Sequence, residues 1–361
     1  MLHPVALLVA VLPAQVQVEI VRQPHPGGVG VCSSNGAWAT GAGLVGARSE
    51  PIALRWSDAT GFERLHGTGW AGLAIADDGG TVLTLAPNAD GVLAAALWTP
   101  AGMQVLPDLG GASGWAASAA TGLTRDGAFA AGFAYPWHPL GYAFQRAVRW
   151  SAAGALLELA TPVGTTSTAS DLSDDGRVVV GSVTPLGGPY YGPGAIQNTS
   201  SAVWTDGVLE LIDDGGQAFG VSSDGGWVVG LRLDVPYRWD SEHGTQLLDV
   251  LRPRNAGSFL ISQGLQVSDD GRTVLCEEVM ILQASYVPLR RYLWIEGRGA
   301  VPIGELLAGV GAHELLAFDQ LRLVSMSSDA RTLTGTAFER GPREGSVFWR
   351  VTLPANAAPL R

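Results

Sequence analysis

Short stretches of alternating or β-branched apolar residues run the length of the chain, broken at regular intervals by small polar turns. Strict alternation over four to eight residues predicts strands rather than helices. One phrase recurs: a small residue, two polar residues, Gly, four residues, then a small residue. It reads SSNGAWATG from Ser33, ADDGGTVLT from Ala76, TRDGAFAAG from Thr124 and SDDGRVVVG from Ser173. It returns as SSDGGWVVG from Ser222, SDDGRTVLC from Ser268 and SSDARTLTG from Ser327. Asp-Gly or Asn-Gly between apolar runs is the strongest short hairpin signal, because Gly takes the positive φ. After each turn comes one tryptophan at the end of a strand: Trp56, Trp98, Trp150, Trp204, Trp239, Trp294 and Trp349. A short turn and a further strand follow, as in Val208 to Ile212 or Thr245 to Val250.

Four strands per unit, with turns spaced by 43 to 59 residues, is the arithmetic of a propeller blade. The expected fold is all-β: a seven-bladed β-propeller of four-stranded antiparallel blades. A sandwich needs fewer strands, and a β-helix repeats at a much shorter period. The seventh unit lacks its fourth strand, since RVTLPANAAPLR follows Trp349. The alternating segment Val16 to Gln23 precedes the first unit and is otherwise unassigned. It is expected to complete blade seven, closing the ring with an N-terminal strand and removing an exposed sheet edge.

The phrase S-x-D-G-x-x-V-V-G, followed by an aromatic strand ending in Trp and then G-x-x-x-L, resembles the extracellular HAF-repeat proteins. The resemblance covers residues 30 to 350 and is carried best by SDDGRVVVG and SSDGGWVVG. The family's His is absent before every Trp, its Ala three residues earlier remains only as Ala53, Ala95 and Ala147, and the last turn has Ala330 for Gly. The resemblance implies export and a propeller-like repeat fold. It implies no settled activity, and hence no catalytic residue.

Composition narrows the class of protein. Apolar residues make up 47% and charged residues 15%, enough apolar surface to exclude a disordered chain. Lysine is absent, and the net charge is −11. A phosphate-binding surface needs a positive excess, so nucleic acid is not an expected partner. The apolar run Val5 to Leu12 is too short to span a bilayer and fits a secretory signal, with Ala14 before the cleavage. The expected organisation is a signal peptide over 1–14 and one propeller domain over 15–361, secreted or periplasmic, without a transmembrane segment. Cys32 and Cys276 lie in different repeats and read as separate buried thiols rather than a bridge.

Several motifs lose their chemistry on inspection. Asp171-Leu-Ser-Asp-Asp-Gly matches half a calcium loop, but Ser182 stands at the twelfth position and strands flank it. The paired acids at Asp77–Asp78, Asp174–Asp175 and Asp269–Asp270 read as turn caps. Gly41 to Gly46 matches a dinucleotide pattern but is followed by Pro51 and a strand, not a helix. His313-Glu314 lacks the second His of a zinc helix, and no G-x-S-x-G occurs. No metal or cofactor is expected.

The loops between second and third strands are more telling. Blade three carries FAYPWHPLGYAF (Phe133 to Phe144), and blade four carries SVTPLGGPYYGPGAIQNTS from Ser182. Equivalent loops of adjacent blades emerge on one face, which brings together Tyr135, Trp137, His138, Tyr142, Tyr190 and Tyr191. Blade six adds Tyr286, Arg290 and Arg291. Amphipathic rings suit sugars, Pro-rich peptides or protein surfaces, and such loops also pack their rings against themselves. The expected function is a non-catalytic binding or interaction module for an extracytoplasmic protein or glycan. The alternative is a glycan-active hydrolase or lyase in the central funnel, with Glu277 and Glu278 as candidate acids. Against it, adjacent strand residues point to opposite faces.

Overall fold

A computed structural model describes residues 16–23, 27–45, 50–65, 70–111, 116–136, 144–186, 198–251, 260–282, 285–338 and 346–354. The expected signal segment lies outside them. The strands form seven four-stranded antiparallel sheets arranged as a ring. β1 is Gln17–Arg22. Blade 1 is β2 (Gly27–Cys32), β3 (Ala39–Val45), β4 (Glu50–Ser57) and β5 (Gly61–Arg64). Blade 2 is β6 (Ala74–Ile75), β7 (Val82–Pro87), β8 (Leu93–Thr99) and β9 (Gly102–Val105). Blade 3 is β10 (Ser118–Leu123), β11 (Phe129–Ala134), β12 (Arg146–Ser151) and β13 (Leu156–Glu158). Blade 4 is β14 (Thr165–Leu172), β15 (Val178–Pro185), β16 (Ser200–Thr205) and β17 (Val208–Asp214). Blade 5 is β18 (Gly216–Val221), β19 (Val228–Arg232), β20 (Val235–Asp240) and β21 (Gly244–Leu247). Blade 6 is β22 (Leu260–Val267), β23 (Thr273–Leu282), β24 (Ser285–Ile295) and β25 (Gly299–Pro302). A helix α1 (Ile303–Gly309) and a 3-10 turn (His313–Ala317) lead to β26 (Asp319–Met326), β27 (Thr332–Phe338) and β28 (Ser346–Thr352) of blade 7.

The ring closes as the sequence predicts. β1 pairs antiparallel with β28 in a register that sets Ile20 opposite Trp349. The junction is also tied by charge: Arg350 Nε lies 2.7 Å from Glu19 of β1, and its Nη2 reaches Asp58 of blade 1.

Each recurring turn is built by its own side chains. In six of the seven, the first hydroxyl donates to the following Asn or Asp and accepts the N–H five residues on. Ala76 is the exception. The turn glycine has a second reason to be Gly. At Gly79 (φ +68°) a Cβ would come within 2.3 Å of the Trp38 ring of the preceding blade. The same close approach sets Gly36 on Thr332, Gly127 on Thr81, Gly176 on Phe129, Gly225 on Val178 and Gly271 on Trp227. The repeat is therefore an inter-blade packing motif as much as a hairpin motif.

The side chain beneath the turn alternates in size around the ring, and so does the residue at the Trp-minus-one place. Blades 1, 3 and 5 pair Trp38, Phe129 and Trp227 with Arg55, Arg149 and Arg238. Blades 2, 4 and 6 pair Thr81, Val178 and Thr273 with Leu97, Val203 and Leu293. Each Arg stacks on its own blade's ring at 5.0–5.1 Å and donates to the carbonyl of the next turn glycine. Blade 7 differs. Thr332 lies beneath Gly36 as in an even blade, yet Arg350 donates to Gly36 and stacks over Trp56 as in an odd one.

That register corrects one expectation. Leu333 pairs with Val351, so Val351 holds the place that Trp56 or Trp204 holds elsewhere. Trp349 sits two residues earlier, buried, on the same face of its strand. Trp150 and Trp204 donate from Nε1 to the carbonyls of Pro107 and Ala160, whereas Trp349 donates to Thr336 within its own blade.

Candidate functional site

The inner strands enclose a central channel. Six of them carry the same β-bulge, three residues before the turn, at Gly30, Thr121, Ser170, Phe219, Leu265 and Val324. A bulge re-aims the residue that follows it. In blade 4 that residue is Asp171, whose Oδ2 accepts the Val221 N–H of blade 5 at 3.1 Å. In blade 6 it is Gln266, whose Oε1 accepts the Met326 N–H of blade 7 at 2.9 Å. Together they border a cavity of about 370 Å³, with Thr121, Phe219 and Arg291 also in its wall.

Asp171 is recessed among the inner strands, and burial pushes its carboxyl up to about 7. Its Oδ1 also accepts the Leu172 N–H. Asp171 thus works as a blade-to-blade strut rather than the first ligand of a calcium loop.

The turn residues after the first hydroxyl circle one mouth of the channel. Neighbouring turns bond to one another there: Asp77 N–H donates to Arg125 O, Asp174 N–H to Ser223 O, Asp269 N–H to Ser328 O and Ser328 N–H to Ser34 O. Arg125 is the one basic member. Its Nε lies 3.2 Å from Asp77 Oδ2 and 3.1 Å from Asp174 Oδ2, and its Nη2 donates to Ser328 Oγ at 3.2 Å. One guanidinium thus braces blades 2, 4 and 7 across the mouth. Burial raises the carboxyls of Asp77 and Asp174 against the pull of Arg125. Nothing in the sequence reading gave Arg125 a role; its signal was the only basic residue at that place in seven turns.

Glu277 and Glu278 do not form an acid/base pair. Glu277 Oε1 accepts from Arg291 Nε at 2.8 Å, while Glu278 Oε2 accepts from Arg290 Nε at 2.6 Å. The two residues are consecutive in β23 and point to opposite faces, and each carboxylate is committed to its own guanidinium. Cys32 and Cys276 are free, buried thiols. Cys32 donates to Ser325 Oγ at 3.4 Å, and burial pushes the Cys276 thiol up to about 12.

Of the loop residues, Tyr135 is described and is 5% exposed. Its ring meets Phe133 edge-on at 5.8 Å, and its hydroxyl accepts from Gln145 Nε2 at 3.0 Å. It anchors the loop's base. Trp137, His138, Tyr142, Tyr190 and Tyr191 lie outside the described residues. The strands that deliver those loops, β11 and β15, are equivalent strands of adjacent blades. Both run away from the Arg125 mouth, so both strands end on the opposite face.

The fold and channel define a seven-bladed β-propeller with a closed outer seam. No protein-family model and no curated protein matches the chain, so the HAF resemblance stands on its residues alone. Solved structures share the fold at low identity. The β-propeller domain of the Trilobed protease from Pyrococcus furiosus is 10% identical with a TM-score of 0.52, covering 90% of this chain and 95% of that one. That domain has an open velcro topology, whereas here β1 closes the seam. The Pyrococcus horikoshii acylaminoacyl peptidase is 11% identical (TM-score 0.51), covering 88% of this chain and 51% of its own. A Mycobacterium tuberculosis puromycin-hydrolyzing peptidase is 13% identical (TM-score 0.51), covering 91% and 52%. The chain spans about half the length of these two peptidases. Among the described residues no helix is long and apolar enough to cross a membrane.

Proposed function

We propose that the chain is an exported, non-catalytic interaction module that presents the loops after β11 and β15 to an extracytoplasmic protein or polysaccharide. One observation carries this reading. β11 and β15, equivalent strands of adjacent blades, end on the same face, opposite the mouth that Arg125 braces, and in the sequence each is followed by an aromatic segment. Tyr135 is buried at the end of β11, its ring packed on Phe133. Rings on loops held by a rigid scaffold are a common form of recognition surface. The carboxylates first considered for catalysis are tied to Arg290 and Arg291, which weighs against the hydrolase or lyase alternative.

The test is a glycan array run beside pull-downs with the secreted protein and its Trp137→Ala and Tyr191→Ala variants. Saturable capture without product, lost in the variants, supports the module. Released product overturns it in favour of an enzyme. For export, residues 1–20 fused to a reporter active only outside the cytoplasm should give signal. Native protein recovered from the cytoplasm with Met1 intact overturns that part.

A further inference from the structure

The outermost strand of each blade has one edge without a sheet partner. In five blades it is short: β5, β9, β21 and β25 have four residues and β13 has three. β1 has six, and it carries Arg22. β17, sequence VLELIDD, has seven, and neither a proline nor a basic residue lies in it. An edge strand is a template for another chain, and proteins usually blunt it with Lys, Pro or brevity. β17 uses none of these three; it carries one bulge, at Ile212, and is regular over Val208 to Leu211. Val208 is 72% exposed and Leu211 47%. Leu157 of β13 and Leu247 of β21 are exposed on either side, so the apolar strip continues onto both neighbouring blades. Among the described residues no strand pairs with the outer edge of β17.

Charge decides what fits there. Glu210 is exposed on the strand, Asp206 precedes it, and Glu158 is exposed on β13. Arg177 is committed to Asp206 through two bonds of 3.0 and 2.6 Å. A second copy pairing antiparallel about Glu210 would set Glu210 against Glu210, between molecules of net charge −11. Like charges placed directly opposite destabilise a strand pair.

We infer that the free edge of β17 docks an extended segment of a partner protein in which apolar and basic residues alternate, added as a fifth strand of blade 4. Main-chain hydrogen bonds extend the ladder, the apolar side chains lie on the face of Leu211, and the basic ones lie on the opposite face with Glu210. This site is on the rim and does not rest on the loop-face reading.

The test uses the full chain and three synthetic seven-residue peptides: alternating valine and arginine, alternating valine and glutamate, and the first with a central proline. Binding is read by fluorescence anisotropy at low and high salt, and its place by amide exchange. The arginine peptide should bind saturably, weaken about tenfold at high salt and slow exchange across 208–214. The proline peptide should lose that protection, because it removes a ladder donor. Glu210→Arg should weaken binding about tenfold while leaving the melting temperature in place. Equal binding of the arginine and glutamate peptides overturns the inference. So does protection confined to other strands, or self-association of the protein with protection of β17 before any peptide is added.

Discussion

Gly61 and Gly79 have the same backbone angle, φ +68°, and opposite surroundings. A Cβ on Gly61 would meet nothing within 4 Å, whereas one on Gly79 would lie 2.3 Å from the Trp38 ring. Gly61→Ala therefore isolates the cost of holding a side-chain-bearing residue in the left-handed region, about 1–2 kcal/mol. Gly79→Ala adds an overpacked methyl, which costs about 1–3 kcal/mol more. Trp38 cannot yield freely, because Arg55 stacks on it at 5.1 Å and is itself bonded to Gly79 O at 2.5 Å. The expected losses are then about 1–2 kcal/mol for Gly61→Ala and about 2–5 kcal/mol for Gly79→Ala. Equilibrium urea unfolding followed by tryptophan fluorescence measures both. Trp38→Ala removes the ring that a Cβ at residue 79 would meet. In a double-mutant cycle with Gly79→Ala it should recover at least about 1 kcal/mol of coupling. Equal losses for the two glycines, or an additive double mutant, would refute the claim that the turn glycine is an inter-blade contact.

Deleting residues 16–23 removes the partner of β28 and the Glu19–Arg350 ion pair; calorimetry should show a lower melting temperature with aggregation, and an unchanged transition rejects the closure. Trp204→Ala should cost about 3–5 kcal/mol in urea unfolding, because the indole is fully buried between blades 3 and 4. Trp137→Ala should hardly change stability while weakening a bound ligand by about 1–3 kcal/mol; a Trp137→Ala protein that unfolds like Trp204→Ala defeats the loop-face reading. Asp171 makes a pH-dependent contribution. Its pKa is raised from 3.8 to about 7, so the folded chain keeps a proton that the unfolded chain has lost. The contribution is fully present below about pH 4 and is lost as the pH climbs through about 7. Asp171→Asn should flatten stability across that window, and a carboxyl titrating near pH 4 by NMR would contradict the burial argument.

The architecture was legible because its period is written twice, in the S-x-D-G turns and in the tryptophans, and because a missing strand at one end matched a spare strand at the other. Local chemistry carried those signals: a hydroxyl, a carboxylate and a positive φ within four residues of one another. The seventh tryptophan misled because a two-residue shift along a strand returns a side chain to the same face, so Trp349 fills the core beside the place where Val351 sits. Arg125 and Asp171 were missed for another reason. Their roles depend on partners 48 or more residues away, brought close only by closing the ring. The bracing arginines left a trace in the sequence as Arg55-Trp56, Arg149-Trp150 and Arg238-Trp239. That trace becomes meaningful only when each pair is seen against the next blade.

The alternation of ring-and-arginine blades with slim ones has a consequence of parity. An alternating pattern closes without conflict only on an even count, and this ring has seven members. Blade 7 absorbs the mismatch as a hybrid, with Thr332 from one type and Arg350 from the other, so blade 1 receives an arginine across one flank and sends one across the other. The blades are therefore not interchangeable parts. A single blade copied into the middle of the ring would set a bulky ring against a bulky neighbour or leave a slim pair facing each other, whereas two consecutive blades copied together would keep every junction matched. The natural unit of exchange in this scaffold is the pair, and the seam where the chain's first strand returns is also the seam where the count comes out odd.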